Sequence, residues 1–128
     1  MFTITYDDVE HEVDSFFECL VYRSIVDMEL DPIDNSILLF VCRKTIGFQK
    51  LFDRLAVSYI CSQVGISQST FKKRITKLIS ENLIYRISSL GGATKSASKY
   101  SEYRLGNNII VPILEEWYKI KEDNGFIR

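Results

Sequence analysis

Histidine occurs once in the 128 residues, as His11, and cysteine three times, as Cys19, Cys42 and Cys61. No pair of these has metal-ligand spacing, and a structural zinc site needs about four such ligands, so no metal is expected. Each cysteine lies among apolar neighbours, which points to buried thiols in a reducing cytoplasm rather than disulfides. A glycine-rich phosphate loop and a nucleophile–base pairing are both lacking, and the acidic residues between 7 and 18 are spread out by their spacing. Nothing here would run catalysis, so neither an enzyme nor a cofactor is expected. The longest apolar runs are far short of the ~20 residues of a membrane span, and the first residues carry no basic leader segment. The expectation is a soluble, cytoplasmic protein without a membrane partner.

An excess of charge of either sign is lacking, with 16 basic and 17 acidic residues and a formal net of −1, but the distribution is uneven. Residues 1–34 hold ten acidic side chains against Arg23 alone, a net of −9. Residues 35–108 hold twelve bases against Asp53, Glu81 and Glu102, a net of +9, and residues 109–128 come to −1. A basic middle hidden inside a neutral total is the electrostatic footprint of a nucleic-acid binder. The 46% hydrophobic and 26% charged content is ordinary for a globular chain, and its length fits one domain with a sizeable core.

The rest of the chain is organised around Leu55–Leu105. A short apolar helix, Val57-Ser-Tyr-Ile-Cys-Ser-Gln63, leads to the turn Val64-Gly65-Ile66-Ser67 and then a second helix, Gln68 to Asn82. Gly65 suits the left-handed backbone of a sharp helix exit, and Ser67 is a good N-cap for the helix that follows. Two helices joined by so short a glycine-containing turn predict a helix-turn-helix. Ile84-Tyr-Arg-Ile87, a Gly91-Gly92 loop and Tyr100–Leu105 then read as a β-hairpin. Tyr103 and Leu105 are expected inward, Lys99 and Arg104 outward. The fold class is mainly α with a small β-hairpin, a winged helix-turn-helix.

At about 100° per residue, Phe71, Ile75, Leu78, Ile79 and Asn82 of the second helix share an inward side. Ser69, Lys73, Thr76, Lys77 and Ser80 lie opposite, with Lys72 on one flank and Arg74 nearer the edge of the core. Lysine meets phosphate or guanine and hydroxyls take either base edge, so such a face suits a major groove. A plain solvated face is the competing reading; the coincidence of turn, basic face and hairpin favours DNA. The candidate DNA-binding residues are Gln68, Ser69, Lys72, Lys73, Thr76 and Lys77, with Lys95 and Lys99 in the hairpin loop, where a wing commonly lies along the DNA backbone.

Outside this stretch, Met1–Tyr6 alternates like a short strand. Residues 8–29 read as one amphipathic helix with Val9, Val13, Phe16, Phe17, Leu20, Ile25 and Met28 inward and an acidic outer face. That face should point away from the duplex or towards a basic partner. Asp31-Pro32 is a strong helix start, and this helix should run to about Thr45 and end at Gly47, with Phe48 and Leu51 folding back on the core. The three-helix core is then 32–46, 56–64 and 67–82. Asn107-Asn108 breaks the pattern, and Pro112 opens a last helix within 109–122. Its stripe of Ile113, Leu114, Trp117 and Ile120 closes over the core or, as the alternative, forms a homodimer face. The expected layout is one domain, 1–128, with an acidic extension over 1–31, a winged-helix core over 32–105 and the C-terminal helix. The chain ends without a clear stop, as an N-terminal part of something longer would.

Residues 32–86 resemble the N-terminal domain of the bacteriophage replication protein O family and related plasmid-type initiators. The resemblance rests on Leu38-Leu-Phe-Val-Cys-Arg43-Lys-Thr45-Ile-Gly47-Phe-Gln-Lys50, similar to the family's Arg-x-Thr-aromatic-Gly-aromatic-x-Lys stretch, on Asp53-Arg-Leu, and on Gly65-Ile-Ser67 with Thr70-Phe, Leu78 and Leu83-Ile84. Ile46 stands where an aromatic is usual, and Ala56 replaces the customary hydroxyl N-cap. The resemblance implies recognition of double-stranded origin DNA in the initiation of phage, satellite or plasmid replication. It also implies that contacts to a replicative helicase or its loader belong to a further region absent here. A winged-helix transcription regulator acting at an operator, and a winged helix used for protein–protein interaction, are the alternatives.

Overall fold

The computed structural model describes residues 1–88 and 100–123. Two antiparallel strands, β1 (Phe2–Tyr6) and β2 (Val9–Val13), open the chain and are followed by helix α1 (Ser15–Asp27). Helix α2 (Pro32–Lys44), a short 3-10 turn at Ile46–Phe48 and strand β3 (Asp53–Ala56) come next. Helices α3 (Val57–Val64) and α4 (Gln68–Ser80) precede β4 (Ile84–Ser88) and β5 (Tyr100–Leu105), and α5 (Asn107–Asp123) closes the described chain. The second sheet has the order β3-β5-β4, antiparallel throughout. The run from α2 to β5 is a winged helix.

The amino terminus departs from the sequence expectation. Residues 8–14 belong to a β-hairpin and its exit, not to the start of a long helix. Val9 and Val13, four apart, fit a helical stripe, but Val9-Glu-His-Glu-Val13 also alternates with the period of a strand. Asp7 and Asp8 form the tight turn at φ 54° and 64°, a left-handed conformation that Asp tolerates better than most residues. Asp14 then starts α1, its carboxylate accepting from Phe16 N–H at 2.9 Å and from Phe17 N–H at 3.4 Å. Asp7, Asp8, Glu10 and Glu12 are therefore exposed hairpin residues, not a helix face.

Helix α2 starts as expected, with Asp31 accepting from Ile33 N–H at 2.9 Å and Pro32 at the first position. Ile37, Leu38, Val41 and Cys42 are fully buried, which makes α2 central to the core. It ends at Thr45, whose hydroxyl donates to the Val41 carbonyl at 2.7 Å. Gly47 does not stop the helix: it sits in the 3-10 turn, and Gln49 carries the left-handed backbone at φ 62°. Leu51 is buried, but Phe48 is 62% exposed and does not fold back on the core. Strand β3 was not foreseen. It lies where only a connector was expected, since four residues, Asp-Arg-Leu-Ala, offer too few side chains for a pattern.

At the other end α5 begins at Asn107, five residues before Pro112, which the helix carries internally. Asn107 and Asn108 do not break the fold there. Asn108 N–H donates to the Asn82 carbonyl at 3.0 Å, and its side chain donates to the Glu81 carbonyl at 2.9 Å. Ile113, Leu114 and Trp117 are buried, so the stripe closes over the core. Trp117 meets Phe17 of α1 edge-on, with ring centroids 5.9 Å apart. Arg23 to Glu116 at 2.9 Å and His11 to Tyr118 at 2.7 Å tie α1 and the hairpin to α5.

Cys42 and Cys61 are buried as expected, whereas Cys19 is exposed. Burial pushes the Cys42 thiol up to about 12 and raises that of Cys61, so neither is a reactive thiolate near neutral pH.

Two glycines make opposite demands. Gly65 has φ +82° and open space around its Cα, whereas a Cβ on Gly106 would lie 2.2 Å from the Asn82 carbonyl oxygen. Gly65→Ala should therefore cost only the backbone term, about 1–2 kcal/mol. Gly106→Ala forces backbone apart and should abolish a cooperative thermal transition. Chemical denaturation of both variants checks the order, and a Gly106→Ala protein as stable as Gly65→Ala would contradict it.

Candidate nucleic-acid interface

The site is built on α3, its turn and α4. Gly65 and Ile66 N–H both donate to the Cys61 carbonyl, at 2.8 and 3.1 Å, which closes α3 in the left-handed exit. Ser67 then caps α4, its hydroxyl accepting from Thr70 N–H at 3.2 Å. At the far end Leu83 N–H bonds the Leu78 carbonyl and Asn82 N–H the Ile79 carbonyl, both at 3.0 Å. This is the Schellman stop, with Asn82 at φ 56° in the left-handed position. Asn82 is thus an exposed helix stop rather than part of the inward face.

Phe71, Ile75 and Leu78 are buried, and Ile79 is half-buried. Gln68, Ser69, Lys72, Lys73, Thr76 and Lys77 are all exposed on the same helix. The structure therefore brings six of the eight sequence-predicted residues together on one element. Lys95, Lys99 and the rest of the loop over 91–98 lie outside the described residues. Thr76 and Ser80 turn their hydroxyls back to the carbonyls of Lys72 and Lys77, at 2.8 and 2.7 Å. Each hydroxyl oxygen keeps its acceptor capacity outward.

The sequence reading missed what holds this face in place. Arg74 Nη1 lies 3.1 Å from Asp31 Oδ1 and 3.4 Å from Asp34 Oδ1. Lys77 Nζ lies 3.7 Å from Asp34 Oδ2. Asp34 is only 1% exposed, so its carboxylate needs a partner, and Arg74 supplies it from the edge of α4. The signal was the Asp31-Pro-Ile-Asp34 start of α2: both acids were counted into the acidic block of residues 1–34, and Asp31 was read only as a helix cap. Two of that block instead grip the basic helix. Lys77 keeps a side chain 56% exposed, while Lys72 and Lys73 have no ion-pair partner among the described residues. Those two lysines hold the unneutralised charge of α4.

Arg104, expected to face out, is half-buried. Its guanidinium lies 4.5 Å from the Tyr85 ring centroid and 5.1 Å from that of Tyr6, and it donates to the Leu105 carbonyl at 2.7 Å. Burial lowers its pKa from the usual arginine value. It packs the base of the wing rather than offering free charge. Arg54 of β3 is exposed above Tyr100, 5.3 Å from the ring centroid.

The family model of bacteriophage replication protein O matches residues 3–103 of this chain. The chain belongs to the bacteriophage replication protein O family. The match reaches well beyond the 32–86 stretch in which the resemblance is legible. It takes in the amino-terminal hairpin and α1, which sequence reading had left outside, and stops within β5. Family membership supports DNA binding. No curated protein sequence matches the chain. Among solved structures, a MepR mutant of S. aureus is 12% identical, with 87% of this chain and 72% of that one covered and a TM-score of 0.49. A MarR mutant from E. coli in complex with operator DNA is 8% identical, covering 86% and 69%, with a TM-score of 0.46. YusO from Bacillus subtilis is 15% identical, covering 89% and 74%, with a TM-score of 0.47. Among the described residues no helix is long and apolar enough to cross a membrane.

The Asp34–Arg74 contact should be energetically coupled. Asp34→Ala or Arg74→Ala alone should lower stability by about 1–3 kcal/mol, a range held down by the partial exposure of Arg74. The double variant should lose at least ~0.5 kcal/mol less than the sum. Urea unfolding of the four proteins measures this, and strict additivity would show that the contact does not anchor α4.

Proposed function

We propose that this chain binds double-stranded DNA sequence-specifically by placing α4 in the major groove. In this reading it recognises an origin for the initiation of phage, satellite or plasmid replication. The observation that carries the DNA part is the exposed row Gln68, Ser69, Lys72, Lys73, Thr76 and Lys77 on the second helix of the helix-turn-helix. Membership of the replication protein O family supports the origin over an operator. Lys72 and Lys73 carry most of the free charge, with Lys77 shared between Asp34 and the solvent. Lys95 and Lys99 would add phosphate contacts from the wing loop. DNA fragments retained by the purified protein from its own genome should contain repeats at a replication origin; enrichment of a promoter operator instead would replace the origin by a regulatory site.

Base contacts carry sequence information, whereas phosphate contacts chiefly position the protein. Lys73→Ala should therefore weaken the cognate site by about 1–3 kcal/mol and relax specificity at one or two positions. Lys95→Ala should weaken cognate and scrambled duplexes alike and flatten the log–log salt slope by about 1. Titrations of both variants on both duplexes across a salt series decide the matter. Equal loss on the two duplexes for Lys73→Ala removes Lys73 from sequence reading, and a wild-type affinity flat in salt removes DNA binding itself.

A further inference from the structure

The stretch Arg43-Lys-Thr45-Ile-Gly47-Phe-Gln-Lys50 carries much of the family resemblance, yet none of it lies on α4. Folded, its Arg43, Lys44 and Phe48 meet Phe40 and Tyr59 in a cluster of cations and aromatic rings at the carboxyl end of α2. Lys44 Nζ lies 5.7 Å from the Phe40 ring centroid, 5.3 Å from Phe48 and 5.2 Å from Tyr59. Arg43 lies over the same Phe40 ring at 5.9 Å, and Phe40 meets Tyr59 edge-on at 5.7 Å. Neither cation has an ion-pair partner among the described residues, and Lys50 is held by Asp53 at 2.8 Å. Phe48 is 62% exposed and Tyr59 39%. Phe48 and Tyr59 thus present exposed rings beside two cations without ion-pair partners among the described residues, a surface that suits a ligand with both flat apolar faces and negative charge.

Beside the cluster runs an open groove of about 540 Å³ between α1, α2 and α3. Leu39, Phe40 and Val64 contribute its apolar surface, and Tyr22, Ser36 and Gln63 its hydrogen-bonding groups, with Arg43 at the junction with the ring cluster. No carboxylate lines it among the described residues. Glu18 acts on Tyr22 electrostatically and is opposed there by Arg43.

We propose that the Phe40–Phe48–Tyr59 cluster with Arg43 and Lys44, together with the adjoining groove, binds single-stranded DNA. An exposed ring gains stacking only from a base whose face is free, and paired DNA offers none. Phosphodiester charge matches the unpaired Arg43 and Lys44, and base edges match the hydroxyl and amide groups of the groove. The surface shares no residue with the α4 face, so one protein would hold duplex and unpaired strand at different places. This inference does not rest on the origin reading.

The test is fluorescence anisotropy with a labelled oligothymidylate of about a dozen nucleotides, within the usual site sizes for unpaired strands, and separately with the cognate duplex. The wild type should bind the single strand. Phe48→Ala and Phe48→Leu should both weaken that binding roughly ten-fold, as loss of one stacked base does, and Phe48→Trp should restore it. Arg43→Ala should flatten its salt dependence. Duplex affinity should stay unchanged in the Phe48 variants, and Lys73→Ala should leave single-strand binding unchanged. No single-strand binding by the wild type, or none of it lost in Phe48→Ala, overturns the inference. So does an equal loss on duplex and single strand, which would make the cluster part of the duplex footprint. A wild type that binds the single strand but no duplex sustains this inference and overturns the function proposed above.

Discussion

A buried carboxylate fixes the geometry on which everything else depends. Asp34 sits in the first turn of the most buried helix, where a charge is tolerated only with a partner. That partner is Arg74, half-buried on the flank of α4. With Arg74 drawn towards α2 and Phe71, Ile75 and Leu78 seated in the core, the rotation of α4 about its axis is set. Lys72 and Lys73 have no direction left but outward. Exposed charge, unpaired among the described residues, and structural charge are thus divided within three consecutive residues, Lys72, Lys73 and Arg74.

The same corner of the fold shows how tightly the ends of α4 are held. Ser67 caps one end, and a Schellman stop at Asn82 closes the other. The Asn82–Leu83 backbone then receives Gly106 and Asn108 at 2.8 and 3.0 Å, where the sheet hands over to α5. The function proposed for α4 requires its side chains to be held within small tolerances, and here helix, wing and last helix meet at one backbone crossing. The acidic amino terminus plays two parts: Asp31 and Asp34 orient the basic helix, while the hairpin carboxylates stay in solvent.

The helix-turn-helix was legible because its signals are local. Gly65, Ser67 and the 3.6-residue spacing of Phe71, Ile75 and Leu78 each report on neighbouring backbone. The winged-helix class and the exposed face of α4 followed from them, and the stripe of Ile113, Leu114 and Trp117 likewise placed Trp117 on the buried side of α5. Where two periods coincide, as at Val9 and Val13, the sequence supports strand and helix equally, and Asp14 had to be recognised as a cap to choose. Pro112 looked like a helix start because proline favours first positions, but α5 accommodates it internally. The Asp34–Arg74 contact spans forty positions, and no local pattern reports it. The ring cluster around Lys44 joins α2, the 3-10 turn and α3: Arg43, Lys44 and Phe48 were visible within one motif, but their meeting with Tyr59 of α3 was not.

Hydrogen–deuterium exchange with and without the cognate duplex would test the central claim most directly. The account predicts slowed exchange in the peptides of the 65–80 region, where α4 enters the groove. It also predicts little change in β1 and β2, whose carboxylates repel phosphate. Protection confined to the amino-terminal hairpin and α1, with α4 exchanging as in the free protein, would contradict it.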